Sequence, residues 1–359
     1  MRILVPFGHA ELGGSQLFFL KTADLLGDVI EFHVWLDQDG PLRQELEQRS
    51  IPVEVWKGRP WKNPMSWPAL VSALRSVDPD LVYLHATRFV AWLCLLSGIP
   101  CMERINMTRC QEAGGWMRYP LVDRVMTSFN THILAVSEAI ASQLRQGGTP
   151  PEKITVIRNH VEESRWRRPE SRQAERLKFG LAEDDIFVLG AGRLVPQKAP
   201  EDFFRIGASL AQDPRMVFAW AGEGPLEGEI RTLITSLVAG GLPSRGLRLL
   251  PFQHDMAPLM NAADLLLHTS HWDPLANVIL EAMATGLPVV ASDVDGSGEA
   301  LRKYPPSRLV KPGDLPGFSK AVTELAGIGI PAANLPQEFR PERFRREFLD
   351  LVSRVATSR

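Results

Sequence analysis

Two stretches of this chain begin alike, and that repetition limits the folds open to it. Arg2 to Phe7 read as a short buried strand that runs through GHAELGGSQ into the helical pattern LFFLKTADLL. Ile186 to Gly190 form a second such strand, which passes through GRLVPQKAP into a helix beginning near Pro200 or Glu201. Strand-like and helical runs then alternate in both halves: EFHVWL, PALVSALRSV and DLVYLHA after the first start, MVFAWAG, GEIRTLITSLVAGG and LRLLPF after the second. Alternation of this sort indicates parallel sheets with crossover helices, one set per half. The expected fold class is therefore α/β, with two Rossmann-like domains.

At 359 residues the chain exceeds what a single hydrophobic core usually grows to, which agrees with two domains. The boundary is expected within the charged, poorly periodic stretch Arg158 to Leu177. We place an N-terminal domain over 1–163 and a C-terminal domain over 164–340. The final stretch, 341–359, holds apolar residues at the helical spacing Phe344, Phe348, Leu351 and Val355. That helix can pack on either domain, and we assign it to the N-terminal one.

Composition narrows the function classes. Hydrophobic residues at 45% and charged residues at 23% are the mixture of a globular protein with ample material for buried sheets. A net charge of -2 gives no overall footprint for nucleic acid. Cys94, Cys101 and Cys110 form no CxxC pair, so a disulfide framework is not expected and a reducing compartment is. The opening MRILVPFGHAELGG lacks the longer apolar core of a secretory signal, and a cytoplasmic location is expected. FVAWLCLLSGIP is too short to span a bilayer and reads as a buried helix.

In open parallel sheets, ligands sit at the carboxyl ends of the strands. Both glycine loops belong there. Gly13 and Gly14 precede a helix whose N-terminal N–H groups suit an anion, although a plain turn would use the same residues. In GRLVPQK, Arg193 and Lys198 leave one loop five positions apart with no obvious local acid, and a diphosphate would answer both charges; two solvated basic residues are the alternative. Glu223 and Gly224 lie in another loop after a strand, as do Phe252, Gln253 and His254, where a base could be held; core packing is the other reading of Phe252. Downstream, HWDPLANVILEAMATGLPVVAS sets Asp273 eight positions before Glu281. Pro274 keeps Asp273 extended or in a turn, while Asn277 to Ala284 can form a helix.

GRLVPQKAPEDF, GEGPLEGE, NAADLLLHTS and DPLANVILEAMATGLPVVASDVDGSGE together resemble the retaining family-4 glycosyltransferases of GT-B architecture. The resemblance is strong from about Ile133 to Ala300 and diffuse before it. PDLVYLHA with His85, LAVSEAI with Ser137 and KITVIRNHV with Asn159 agree with it. It implies two Rossmann-like domains whose parallel sheets face across a cleft, a nucleotide-sugar donor with a UDP or GDP base, and a hexose transferred with retention. In the acidic pair E-x7-E of the family the first acid touches the sugar and the second the ribose. By analogy Asp273 reads the sugar and Glu281 anchors the ribose, with Asn277 opening the helix that points at the donor phosphates.

The resemblance makes Arg193 and Lys198 the candidates for stabilising the leaving diphosphate. Gly13, Gly14, Glu223 and Phe252 join the donor site. Two positions depart from the family pattern: Asp273 is one methylene shorter than glutamate, and Asn106 in IPCMERINM stands where family members often carry a histidine. His85 ends a strand, where a pocket residue or a core histidine can sit, and His9 lies in the first glycine loop. No His or Asp spacing matches a metal triad, so metal-independent transfer without a cofactor is expected.

The acceptor, a glycan, a lipid-linked sugar or a small molecule, is expected on the N-terminal domain. There Trp56, Trp61 and Trp67 interleave with Lys57, Arg59 and Lys62, and Trp116, Arg118, Tyr119 and Arg124 follow. These suit sugar stacking or a peripheral membrane contact, or they pack on neighbouring helices. Two other functions share the features: a GT-B nucleotide-sugar epimerase, and a non-catalytic scaffold that binds a nucleotide sugar.

Overall fold

The computed structural model describes residues 1–57, 63–85, 87, 90–106, 128–168, 171–243, 245–329 and 335–357. The chain divides into two compact units, one of Met1–Asn159 with Pro341–Arg359 and the other of His160–Arg340. Each is built on a sheet whose described strands pair in parallel.

In the first unit the strands are β1 (Arg2–Phe7), β2 (Glu31–Leu36), β3 (Val53–Val55), β4 (Leu81–His85), β5 (Cys101–Ile105), β6 (His132–Ala135) and β7 (Ile154–Val156), in the order β3-β2-β1-β4-β5-β6-β7. Side chains alternate across a strand, so β1 sends Ile3, Val5 and Phe7 into one core and Leu4 into another. The first core is closed by the helix Pro341–Ala356, whose Phe344 ring meets Phe18 at 5.6 Å and whose Phe348 ring meets Tyr83 at 5.4 Å. Arg345 adds a fork to the Asp28 carboxylate at 2.8 and 2.7 Å.

The second unit holds β8 (Ile186–Ala191), β9 (Met216–Ala221), β10 (Leu247–Leu250), β11 (Leu265–His268), β12 (Val289–Ser292) and β13 (Ser307–Val310), in the order β10-β9-β8-β11-β12-β13. The order reverses at β8, because β9 continues on one side of it and β11 lies on the other. In the first unit the same reversal falls at β1, between β2 and β4. Such switch points open the crevice in which doubly wound sheets take their ligands. The loops that leave β8 and β11, and the loop that leaves β1, are therefore the places to look.

Two segments differ in detail from their reading as sequence. The charged stretch after Arg158 carries short helices at Glu163–Trp166 and Arg172–Lys178. Beside the buried side chains of Val161 and Trp166, polar bonds hold it within the second unit: Arg172 and Arg176 both pair with Asp264, and Asn261 receives Arg168 N at 2.8 Å while donating to Trp166 O at 2.7 Å. FVAWLCLLSGIP yields a helix over Val90–Ser97 that buries only one side; Leu93 and Cys94 are in the core, whereas Leu95 and Leu96 are 59% and 58% exposed. Among the described residues no helix is long and apolar enough to cross a membrane.

Candidate active site

The loop leaving β8 is shaped by its neighbour leaving β9. Gly192 N donates to Ala221 O at 3.1 Å and Leu194 N to Glu223 O at 2.9 Å, so the two backbones lie side by side. This closeness requires glycine at Gly222, where φ is +152° and a Cβ would fall 2.0 Å from Gly192 O. Arg193 leaves the loop exposed, and a short turn over Pro196–Lys198 carries the chain to Ala199 in the left-handed region at φ +47°. Non-glycine residues hold that conformation only where the surroundings demand it.

The surroundings here are the loop leaving β11. Thr269 Oγ1 donates to the carbonyls of Lys198 and Ala199 at 3.1 and 3.0 Å. His271 N donates to Gln197 O at 2.9 Å, and the Gln197 side chain donates to Trp272 O at 3.1 Å. Stitched in this way, the two loops bring Lys198 Nζ onto Asp273 Oδ2 in an ion pair. His268 Nε2, from the last residue of β11, lies 3.2 Å from the same oxygen and 3.0 Å from Ser270 Oγ.

This cluster is dry: the side chains of Lys198, Asp273 and His268 are 17%, 5% and 3% exposed. Burial pushes the Asp273 carboxyl up, but the Lys198 ammonium and the His268 hydrogen bond outweigh it, so the group stays ionised well below the usual carboxylate range. Burial lowers His268 against the pull of Asp273, and its ring is neutral near pH 7. Chemically the site offers a fixed carboxylate for hydroxyls and two cations, Arg193 and Lys198, within one loop for an anion.

Pro274 to Ala276 lead from Asp273 into the helix Asn277–Thr285. Ala276, its N-cap residue, makes no side-chain cap hydrogen bond, and the positive end of the helix dipole lies at this terminus, where a phosphate would suit it. Asn277 is its first residue, and Glu281, half-buried, is on its second turn. On the other side of β8, Glu223 is exposed and its Oε1 accepts from Phe252 N at 3.3 Å; Phe252 is 39% exposed, its ring edge-on to His254 at 5.1 Å. Phe252 is thus not core packing.

In the first unit, Gly13 caps the helix Gly14–Leu26, and Ser15 in its first turn accepts from Asn106 Nδ2 at 2.7 Å. Gly13, Gly14 and Asn106 are therefore gathered at the ends of β1 and β5, and His9 bonds Gln16 of the same helix. His85 lies inward. It is 6% exposed, its ring contacts Phe7, Tyr83 and Phe19, and its Nε2 has no hydrogen-bond partner. Trp56 packs on Trp35 with ring centroids 5.5 Å apart, and Trp67 packs against the core. Arg59, Trp61, Lys62, Cys110, Trp116, Arg118, Tyr119 and Arg124 lie outside the described residues. No group of three or more metal-ligating His, Cys, Asp or Glu occurs among the described residues.

Sequence reasoning passed over His268, Thr269, Ser270 and Gln197. The signal for the first three was present in LLLHTS, where an apolar strand ends in three successive polar residues. It also passed over Arg104, a buried guanidinium that donates to Asn159 Oδ1 at 2.6 Å and lies 4.3 Å above the Phe18 ring. A charged pair inside the strand CMERI was its signal.

Two doubly wound parallel sheets, with a glycine loop at each switch point and a basic loop bonded to an acidic one, define the GT-B fold of glycosyltransferases. Residues 12–165 match the family description "Glycosyltransferase Family 4" and residues 185–327 match "Glycosyl transferases group 1". The chain belongs to this family, glycosyltransferase group 1 / family 4. It is 28% identical over 241 residues to the alpha-galactosylglucosyldiacylglycerol synthase of Streptococcus pneumoniae, covering 61% of this chain and 62% of that one. It is 23% identical over 331 residues to the UDP-Gal:alpha-D-GlcNAc-diphosphoundecaprenol alpha-1,3-galactosyltransferase of Escherichia coli, covering 88% and 85%. The crystal structure of Anabaena Alr3699/HepE in complex with UDP and glucose superposes with a TM-score of 0.85 at 23% identity, over 98% of this chain and 99% of that one.

Proposed function

We propose that this protein moves a hexose from a UDP-sugar to a glycan or lipid-linked acceptor, with retention at the anomeric carbon and without a metal. The observation that carries the reading is the buried Lys198–Asp273 ion pair beside the N-terminus of Asn277–Thr285. A donor diphosphate takes the positive end of that helix together with Arg193 and Lys198. Asp273 accepts from the sugar hydroxyls and Glu281 from the ribose, while Glu223 and Phe252 border the nucleoside. As the bond from the anomeric carbon to the diphosphate breaks and the bond to the acceptor oxygen forms on the same face, the acceptor proton passes to the departing phosphate.

UDP is favoured over GDP because the Escherichia coli relative is named for UDP-Gal and the Anabaena protein was crystallised with UDP-glucose. The first unit, with Asn106, takes the acceptor, and the protein works in the cytoplasm or at the inner face of a membrane. A thermal-shift panel of nucleotides and nucleotide sugars tests the reading. Stabilisation by a UDP-sugar that disappears in Arg193→Ala/Glu281→Ala supports it. A response to NAD alone, or to none of the panel, sinks it, and donor binding without turnover on any acceptor leaves the scaffold function in its place.

A further inference from the structure

We propose that His268 is a positioning residue: it holds Asp273 by one carboxylate oxygen, so that the other is presented in a fixed orientation to the donor sugar. The inference rests on the reading of Asp273 as the sugar-contacting acid. Its basis is geometric. Both hydrogen bonds that Asp273 receives among the described residues, from Lys198 and from His268, fall on Oδ2. Oδ1 carries neither.

The two partners respond differently to a donor. Lys198 ends the loop turn Pro196–Lys198, and its ammonium is a point charge on a flexible four-carbon stem that a diphosphate can draw toward itself. His268 cannot follow. It closes β11 at 3% exposure, its Nε2 is shared with Ser270 Oγ at 3.0 Å, and Thr269 between them is tied to the opposite loop. When the phosphates engage Lys198, the imidazole remains as the bond that keeps the carboxylate from rotating.

The tautomer follows from the same contacts. Nδ1 is buried and has no hydrogen-bond partner. A proton there would leave an N–H without an acceptor and would turn two lone pairs toward each other across the 3.2 Å gap between Nε2 and Asp273 Oδ2. With the proton on Nε2, the ring donates to Asp273 and Nδ1 holds only a lone pair. A neutral donor also leaves the charge of Asp273 intact for the sugar hydroxyls. Because aspartate is one methylene shorter than glutamate, it has fewer ways to reach a hydroxyl, and a fixed carboxylate plane matters more for it.

The test compares wild type with His268→Leu and His268→Gln, using UDP, UDP-glucose and UDP-galactose as calorimetric probes at neutral pH. The quantity read is how much tighter the better UDP-hexose binds than UDP itself. The expectation is that His268→Leu binds UDP within about twofold of wild type but loses about tenfold of the hexose increment, the size of one hydrogen bond to a charged group. Glutamine, whose amide N–H can reach the same oxygen, restores most of it. In wild type the imidazole nitrogen resonances should report a proton on Nε2 and none on Nδ1.

An unchanged hexose increment in His268→Leu overturns the proposal. So does an equal loss of UDP and UDP-hexose affinity in both variants, which describes a merely structural histidine, or a proton on Nδ1. If wild type binds UDP yet gains nothing from either hexose, the proposal falls while the donor-site reading stands. If wild type binds no UDP at all, that reading itself has failed. Should the leucine variant not fold, the glutamine variant and the wild-type resonances still decide.

Discussion

Lys198 and Asp273, 75 positions apart in the chain, form a buried ion pair across the loops that leave the adjacent strands β8 and β11. The pair joins the two carboxyl-end loops at the switch point of the second sheet. Breaking one side of a buried pair leaves a charge without compensation, at a cost of about 3–5 kcal/mol, whereas removing both sides costs much less. Lys198→Met and Asp273→Leu should each lower the midpoint of chemical denaturation, and the double variant should be more stable than the sum of the two implies. A double-mutant cycle reads the coupling; additive effects would mean that the two side chains do not interact.

Arg193 tests function without stability. It is exposed, with no role in holding the loops together. Arg193→Ala should therefore keep its melting temperature within about a degree, since surface substitutions are usually within about 0.5 kcal/mol. Its turnover with a UDP-sugar should fall by about two orders of magnitude, as when a preorganised donor to a developing charge is removed. Initial rates and a thermal melt on the same preparation decide, and near-wild-type turnover would remove Arg193 from the phosphate site.

The glycine at position 222 admits a sharper test of loop architecture. A methyl group there would fall 2.0 Å from Gly192 O, so the loops after β8 and β9 cannot stay side by side in Gly222→Ala. UDP affinity and stability should both drop, with the UDP loss exceeding that of an alanine at Gly228, where a Cβ meets nothing within 4 Å. Equal affinities in the two variants would show that the close approach is not needed for the donor.

Stability should fall with acidity for a reason located at His85. Burial, followed by the nearby Arg104, holds its folded-state pKa well below that of an exposed histidine. The unfolded chain, with an ordinary value near 6.5, then binds a proton that the folded chain refuses. The contribution of His85 is complete above about pH 6.5 and declines as pH drops below it, toward the lowered folded value. His268, lowered by burial, adds the same sign in the same window. Asp273 acts only at more acidic pH, because its stabilisation is present above the ordinary carboxylate range. His85→Phe should flatten the fall in melting temperature between pH 7 and 5; an unchanged slope would put the acid sensitivity elsewhere.

Asp264 offers a test of what orders the charged segment after His160. It pairs with Arg172 and with Arg176, whose side chain is only 9% exposed. Asp264→Ala strands that guanidinium and should cost about 3 kcal/mol or more. Limited proteolysis should then cut first near the helix Arg172–Lys178. Protection equal to wild type would mean that the ion pairs do not hold the segment.

The parts of this molecule that were legible in the sequence are those set by periodicity and turn chemistry. Both strand–loop–helix starts appear in β1 and β8, and the helix expected over Asn277 to Ala284 ends one residue later, at Thr285 ahead of a glycine with positive φ. Long-range polar contacts were not legible. Nothing local distinguishes His268 from a strand-end histidine until β11 is laid beside β8, and Arg176 reads as a solvated charge until Asp264 is beside it. His85 illustrates the same limit from the other direction, since its position at a strand end fits a pocket and its aromatic neighbours arrive from β1 and from the helix Gly14–Leu26. Periodicity shows that Phe344 and Phe348 share a helical face but not which surface that face will meet.

The return of Pro341–Ala356 to the first unit has a consequence for how the protein is made. A ribosome releases the residues of β1 to β7 first, yet the core they build lacks Phe344, Phe348, Leu351, Val352 and Val355 until the residues of the second unit have also been made. The second unit needs no such late arrival, because its residues end at Arg340. Translation order thus does not dictate folding order: the part synthesised later can close first, while the nascent early sheet waits with an apolar face uncovered.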